Sequence, residues 1–145
     1  MIDAKIVLNL KPLEGLKKSL INKILRKAVS EASKNVKLAV KANAGNGNMG
    51  KSIGIKVKTY KSSVVAVVGP RTKYQKANGV FKKGKKKGEP KIIRPSKIAH
   101  LVEKGTKRSK ARPFLKPAYD STHQDYLTNL AQAIERGINK QLAKS

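Results

Sequence analysis

IAHLVEKGTKRSKARPFLKPA, residues 98–118, is the stretch that decides the predicted fold. Three of its apolar residues recur with the spacing of one helical face, namely Ile98, Leu101 and Val102. Gly105 follows them where a helix C-cap requires a positive φ, which glycine adopts without steric cost. The pattern therefore predicts a short helix over Ile98–Thr106.

A proline hinge, residues 113–117, follows a basic loop and reads Pro-Phe-Leu-Lys-Pro. Proline fixes φ and donates no backbone hydrogen bond, so Pro113 or Pro117 is expected to open the next helix. Phe114 and Leu115 lie between the two prolines and are expected to anchor the hinge. Two partners remain open for them, the core of the same chain or a neighbouring subunit.

Two long amphipathic helices are predicted, from Leu13 to about Asn43 and from Ala118 to about Ala143, because apolar residues recur every three or four positions. Gly137 is expected to weaken the second helix by up to about 1 kcal/mol. The apolar stripe of the first helix is Leu13, Leu16, Leu20, Ile24, Ala28 and Ala32, widened by Ile21, Leu25, Val29, Val36 and Val40. The stripe of the second is Leu127, Leu130, Ala131, Ile134, Ile138 and Leu142.

Three segments are expected to form strands. Residues 2–10 and 52–60 alternate in the manner of half-buried strands, and residues 64–68 form a wholly apolar strand that should be more buried. The last two are joined by a short polar turn and are expected to form an antiparallel hairpin. Residues 44–50, AGNGNMG, are a loop by composition. The predicted fold class is α+β: a small antiparallel sheet, made of the N-terminal strand and the hairpin, packs against two long helices and one short helix.

Residues 71–97 differ from the rest of this single predicted domain of 145 residues. They contain 11 Lys or Arg and one acid, Glu89, so we expect a mobile basic loop, although residues 91–94 could form a short strand. Two interpretations of its lysines remain open, a solvated loop and an arm that contacts a polyanion. The lysines concerned are Lys82, Lys83, Lys85, Lys86 and Lys87.

The charge of the chain is its most unusual property. Lys and Arg number 34 and Asp and Glu 8, which gives a net charge of +26. Such a field attracts polyanions and repels copies of itself, so nucleic acid, an acidic protein surface and an anionic membrane are all admissible partners. The chain has no cysteine, which excludes disulfides and thiolate metal sites. Its longest wholly apolar run, Val64–Val68, is too short to span a bilayer.

Few sequence motifs support an enzymatic function. Residues 45–52, GNGNMGKS, match the phosphate-loop pattern, but that loop must follow a buried strand and open a helix, whereas here a helix precedes and a strand follows. His100 and His123 have no set of further ligands, and no catalytic triad or carboxylate pair stands out. We therefore expect no enzymatic activity, no cofactor and no metal.

A resemblance to a known family rests on two motifs. The first is Gly105-Thr106, a short basic spacer and ARPFLKPA, and the second is Gly-x-Ser-Ile at residues 50–53, which opens a strand. Their order and spacing resemble those of a family of minor tail components of tailed bacteriophages. The resemblance covers most of the chain and is weakest over residues 71–97.

The resemblance implies a structural virion protein that completes the tail at its head-proximal neck and joins it to the head. It implies a homo-oligomeric ring, a hexamer, that contacts the tail tube protein and the head-completion or connector proteins, touches DNA in the channel without sequence preference, and needs no membrane. The protein would then be found in the virion and, during assembly, in the host cytoplasm. The implied subunit-interface residues are Arg112, Pro113, Phe114, Leu115 and Pro117.

The alternative interpretation is a free-standing basic protein that binds nucleic acid without sequence preference. The net charge alone supports it, and lysines suit phosphate neutralisation better than base recognition. It leaves the proline hinge and its Gly-x-Ser-Ile partner unexplained.

Overall fold

The structure is a computed structural model that describes residues 17–144. The strand expected over residues 2–10 and the expected helical residues 13–16 lie outside this range. The described elements, in chain order, are α1 (Lys18–Ala44), α2 (Asn48–Ser52), β1 (Ile53–Thr59), β2 (Val64–Pro70), β3 (Lys76–Val80), β4 (Pro90–Ile93), α3 (Pro95–Lys104) and α4 (Lys116–Leu142). The α+β fold with two long helices, a short helix and antiparallel strands is confirmed.

The two long helices pack against each other in antiparallel fashion. The first half of α1 meets the second half of α4, and the end of α1 meets the start of α4. One cluster of buried residues consists of Ala28, Val29, Ala32, Leu130, Ala133 and Ile134. The other consists of Val40, Ile53, Phe114 and Ala118. The core therefore follows the seam between the two helices over its whole length.

Gly137 has a packing role in this seam. A Cβ at this position would lie 2.8 Å from Cγ2 of Ile24, whose side chain is buried. The absence of a side chain therefore lets α1 approach α4 closely. The weaker helix propensity of glycine is the cost of this contact.

The hairpin of β1 and β2 covers one side of α1, as expected. Its register pairs Ile53 with Pro70 and Thr59 with Val64. Alternate residues of the two strands, including Ile53, Val57, Ala66 and Val68, pack against the helical core. The opposite face carries Lys56 and Lys58.

The predicted apolar stripes of α3 and α4 are correct in part: Leu130 and Ile134 are buried and Ile138 packs against their cluster, but other predicted members are exposed. In α3, Pro95 is buried and Val102 packs on the core, whereas Ile98 and Leu101 are each 44% exposed. In α4, the predicted members Leu127, Ala131 and Leu142 are exposed. The small residues Ala118 and Ala133 are buried in their place, because the close approach of α1 favours short side chains there.

The expectation of an irregular basic loop over residues 71–97 is wrong for much of its length. β3 and β4 form an antiparallel hairpin that pairs Lys76 with Ile93 and has a register shift before Val80. The suggested strand near residues 91–94 is confirmed as β4. The loop expected at residues 44–50 also contains the start of a helix, the single turn α2.

The C-caps of α1 and α3 allow a matched test of helix termination. Gly45 has φ 83° and ψ −172°, and Gly105 has φ 78° and ψ 174°, a backbone region reserved for glycine. A Cβ at Gly45 meets nothing within 4 Å, but one at Gly105 would lie 2.6 Å from the backbone nitrogen of Ala111.

We therefore expect Gly45→Ala to lower the free energy of unfolding by about 1–3 kcal/mol through backbone strain alone. Gly105→Ala should lower it by at least about 1 kcal/mol more, because the loop must also move. Urea denaturation of both variants measures the difference. Equal losses would contradict the crowding at Gly105.

Candidate functional site

The carboxylate of Glu103 organises the segment between α3 and α4. Its Oε2 accepts hydrogen bonds from the backbone nitrogens of Phe114 at 2.7 Å and Leu115 at 3.0 Å. Its Oε1 accepts one from the backbone nitrogen of Lys116 at 3.0 Å. A single side chain from one helix therefore caps the start of the next helix.

The charge of Glu103 is affected in opposite directions by the two helices that it joins. It lies in the last turn of α3, where the helix dipole disfavours a negative charge, and at the start of α4, where the dipole favours one. Burial acts to raise the pKa of Glu103, but its backbone hydrogen bonds outweigh burial and lower the pKa below the ordinary value of 4.5. The carboxylate is therefore held in its charged form.

The basic loop before the hinge is closed by its own backbone. The nitrogen of Gly105 donates to Leu101 O at 2.8 Å, and the nitrogen of Arg112 donates to Val102 O at 2.8 Å. Thr106 Oγ1 accepts from the backbone nitrogens of two residues further along. Both ends of the loop are thus tied to α3, and the loop presents exposed cations at fixed positions: Lys107, Arg108, Lys110 and Arg112.

Phe114 is packed within its own chain. Its side chain is 1% exposed and lies in the cluster with Val40, Ile53 and Ala118. Asn43 Nδ2 donates to the carbonyl of Phe114 at 3.4 Å, which adds a link to the end of α1. Of the two partners left open by the sequence, the core of the same chain is the one that the structure provides.

The other interface candidates of the hinge lie at or near the surface. Arg112, Pro113 and Pro117 are exposed, and Leu115 is half-buried. Pro117 lies in the first turn of α4, as predicted for one of the two prolines. The hinge therefore has a buried aromatic anchor and an exposed rim of one cation and two prolines.

The lysines of the second candidate set lie at the tip of the β3–β4 hairpin. Lys82, Lys83, Lys85, Lys86 and Lys87 are all exposed. The tip is closed by hydrogen bonds from Phe81 N to Glu89 O and from Gly88 N to Phe81 O, each 2.9 Å long. Lys86 Nζ and Lys91 Nζ lie 6.0 Å and 5.5 Å from the centre of the Phe81 ring, within the range of cation–π attraction.

Arg71 connects this hairpin to the body of the domain. Its Nη2 donates to Lys51 O at 3.0 Å, and its Nε donates to Ser52 O at 3.1 Å. These carbonyls end the single turn α2, so the guanidinium acts as a C-terminal cap. The guanidinium carbon also lies 5.6 Å from the centre of the Tyr74 ring.

The phosphate-loop pattern at residues 45–52 has a structural explanation. It joins α1 to β1 through the single turn α2, so the element directly before it is a helix and not a strand. Gly50 is buried, and a Cβ there would lie 1.8 Å from the carbonyl oxygen of Gly45.

His100 is exposed on α3, and the ring of His123 stacks on Tyr119 with centroids 5.4 Å apart. Among residues 17–144, no three His, Cys, Asp or Glu side chains cluster as a metal site.

Comparison with family models, curated proteins and solved structures finds no match to this chain. The resemblance to phage tail components therefore stays a prediction. Within the described range, no helix is both long and apolar enough to cross a membrane.

Glu103 and Arg71 were not singled out from the sequence. A usable signal exists for Glu103, because it is an acid in the last turn of a predicted helix, where a cation is preferred. Such an acid needs a compensating partner, and the donor-rich start of the next helix is the nearest one. Arg71 gives no comparable signal, since it is one of 34 cations and its carbonyl partners lie 19 and 20 residues away.

Glu103→Gln should lower the free energy of unfolding by about 2 kcal/mol at neutral pH. Hydrogen bonds to a charged group contribute about 1.5–3 kcal/mol, and glutamine replaces one acceptor oxygen by an NH2 group that cannot accept. Exposed Glu135→Gln is the matched control and should change stability by less than about 0.5 kcal/mol. Chemical denaturation of both variants decides whether the Glu103 cap is needed.

The stability difference between the wild type and Glu103→Gln should also depend on pH. Because the folded-state pKa of Glu103 is lowered, its contribution is complete above the ordinary value of 4.5 and is lost as the pH falls through the folded-state pKa. The stability difference between the wild type and Glu103→Gln should therefore shrink as the pH falls below 4.5. A difference that stays constant in acid would contradict the role of the carboxylate charge.

Proposed function

We propose that this chain is a structural component of a phage tail, which completes the tail at its head-proximal end and assembles there as a homo-oligomeric ring. One observation carries the proposal: the segment that resembles the tail family is held against its own domain by hydrogen bonds and by a buried side chain. Glu103 binds three backbone nitrogens of this segment, and Phe114 anchors it in the core. A segment held in this way presents its rim, Arg112, Pro113 and Pro117, in a geometry that suits a repeated contact between subunits.

The charge fits the same role. Copies of a chain with a net charge of +26 repel each other, so a ring requires a polyanion to neutralise it. An acidic tail tube or the DNA of the channel supplies that polyanion. Assembly should therefore depend on the partner, with the ring forming on tails more readily than in free solution.

The test uses the full chain mixed with purified tails. We expect negative-stain images to show a ring of six copies that caps one end of each tail. Arg112→Glu should reduce capping, whereas Arg26→Glu, an equal charge change at an exposed position of α1, should reduce it less. Absence of the chain from tail ends, or equal losses in the two variants, would contradict the proposal.

A second candidate function, binding of nucleic acid without sequence preference, is favoured by the β3–β4 hairpin. Five exposed lysines lie at its tip, and the two strands pair with each other away from the helical core. An exposed cationic arm of this kind neutralises phosphates without reading bases. The single ring of Phe81 is too little for a base-stacking platform.

Substitution of all five tip lysines by Gln tests this function. If the arm binds nucleic acid, the slope of log affinity against log salt should fall in magnitude by several units, about 0.7–0.9 for each phosphate that the arm no longer neutralises. The control replaces an equal number of exposed lysines of α1 by Gln: Lys18, Lys23, Lys27, Lys34 and Lys41. Equal slopes for the two variants would assign binding to the net charge and not to the arm.

A further inference from the structure

A groove of about 290 Å³ lies along the seam between α1 and α4, near the start of α1 and the end of α4. Its apolar lining is formed by Leu20, Ile24, Ala28, Ala133 and Gly137. The groove borders the close contact between Ile24 and Gly137, where a Cβ on the glycine would lie 2.8 Å from Cγ2 of Ile24. The volume is at the lower end of the range for ligand sites, about 300–1,000 Å³, so the groove suits individual side chains rather than a large cofactor.

Lysines border the groove on both sides. Lys23 and Lys27 lie one turn apart on α1, whereas Lys140 lies in the last turn of α4 and Lys144 two residues beyond its end. All four are exposed, and none of them forms an ion pair with a carboxylate among residues 17–144. The combination is an apolar floor between two cationic walls.

The same groove already holds one carboxylate of the chain. Glu31 on α1 accepts a hydrogen bond from Arg136 Nη2 on α4 at 3.0 Å, which bridges the two walls. The described part of the chain offers no second acid in the lining to pair with the four lysines. The four lysines are therefore open to carboxylates from outside the described residues.

We propose that this groove binds an acidic segment of a partner protein, which places an apolar side chain on the floor and carboxylates against the lysines of both walls. The inference does not rest on the proposed ring. Charge complementarity favours an acidic partner over a second copy, because two chains with a net charge of +26 repel each other unless a polyanion neutralises them. Nucleic acid would neutralise the lysines but has no aliphatic side chain for the floor, so it gains nothing from the groove over other basic surfaces of the protein.

Three fluorescent probes of equal net charge separate these partners: a peptide of Glu and Leu, a peptide of Glu and Ser, and a single-stranded oligonucleotide. Anisotropy titrations at about 0.15 M salt suppress contacts with the general surface charge. With the wild-type chain, the Glu and Leu peptide should bind at least about tenfold more tightly than either other probe. Equal binding of all three probes would overturn the proposal.

Paired charge reversals locate the site. Lys27→Glu with Lys140→Glu should weaken the Glu and Leu peptide by at least about tenfold. Lys58→Glu with Lys61→Glu, the same charge change at exposed positions outside the groove, should weaken all three probes alike and by less. Equal weakening by both pairs would overturn the assignment to the groove, and the wild-type comparison of probes decides the question even if one pair fails to fold.

Discussion

The three hydrogen bonds of the Glu103 carboxylate are the interaction on which the rest of the structure depends. They join the last turn of α3 to the first turn of α4 and fix the angle at which the chain enters its second long helix. The backbone nitrogen of Phe114 is one of the three donors, and its side chain lies in the core between α1 and β1. Among residues 17–144, this carboxylate is bound by backbone nitrogens and forms no ion pair with a Lys or Arg side chain.

Periodicity was sufficient to predict the helices and the first hairpin, because burial of one face imposes a repeat on the sequence. Periodicity predicted the buried face of α4 incompletely, because α4 contacts α1 partly through small residues. Small residues of α4 such as Ala133 and Gly137 face α1, while larger ones such as Leu127 and Leu142 remain exposed. A count of large apolar residues therefore finds Leu130 and Ile134 but misses the small buried positions. The β3–β4 hairpin was not predicted for another reason. All residues of β3 are exposed, so packing against a core does not require its apolar and polar residues to alternate.

The candidate site was predicted in part. The glycine stop at Gly105 and the proline in the first turn of α4 follow from backbone conformations that few residues adopt, and such constraints are visible in a sequence. The partners of Glu103 and Arg71 are backbone atoms, which every residue possesses. The sequence therefore does not indicate which residues provide them. The groove along the seam depends on the relative placement of two helices about a hundred residues apart, and local patterns carry no such information.

The separation of the β3–β4 hairpin from the helical core has an evolutionary consequence. Its strands pair with each other and its tip shares no buried residue with the two core clusters, so insertions, deletions and charge changes there leave the packing of α1, α4 and the first hairpin intact. The tip can therefore diverge quickly while the body stays the same. Related chains that share this body are free to differ in the length and charge of the arm, and so to fit different partners on one conserved scaffold.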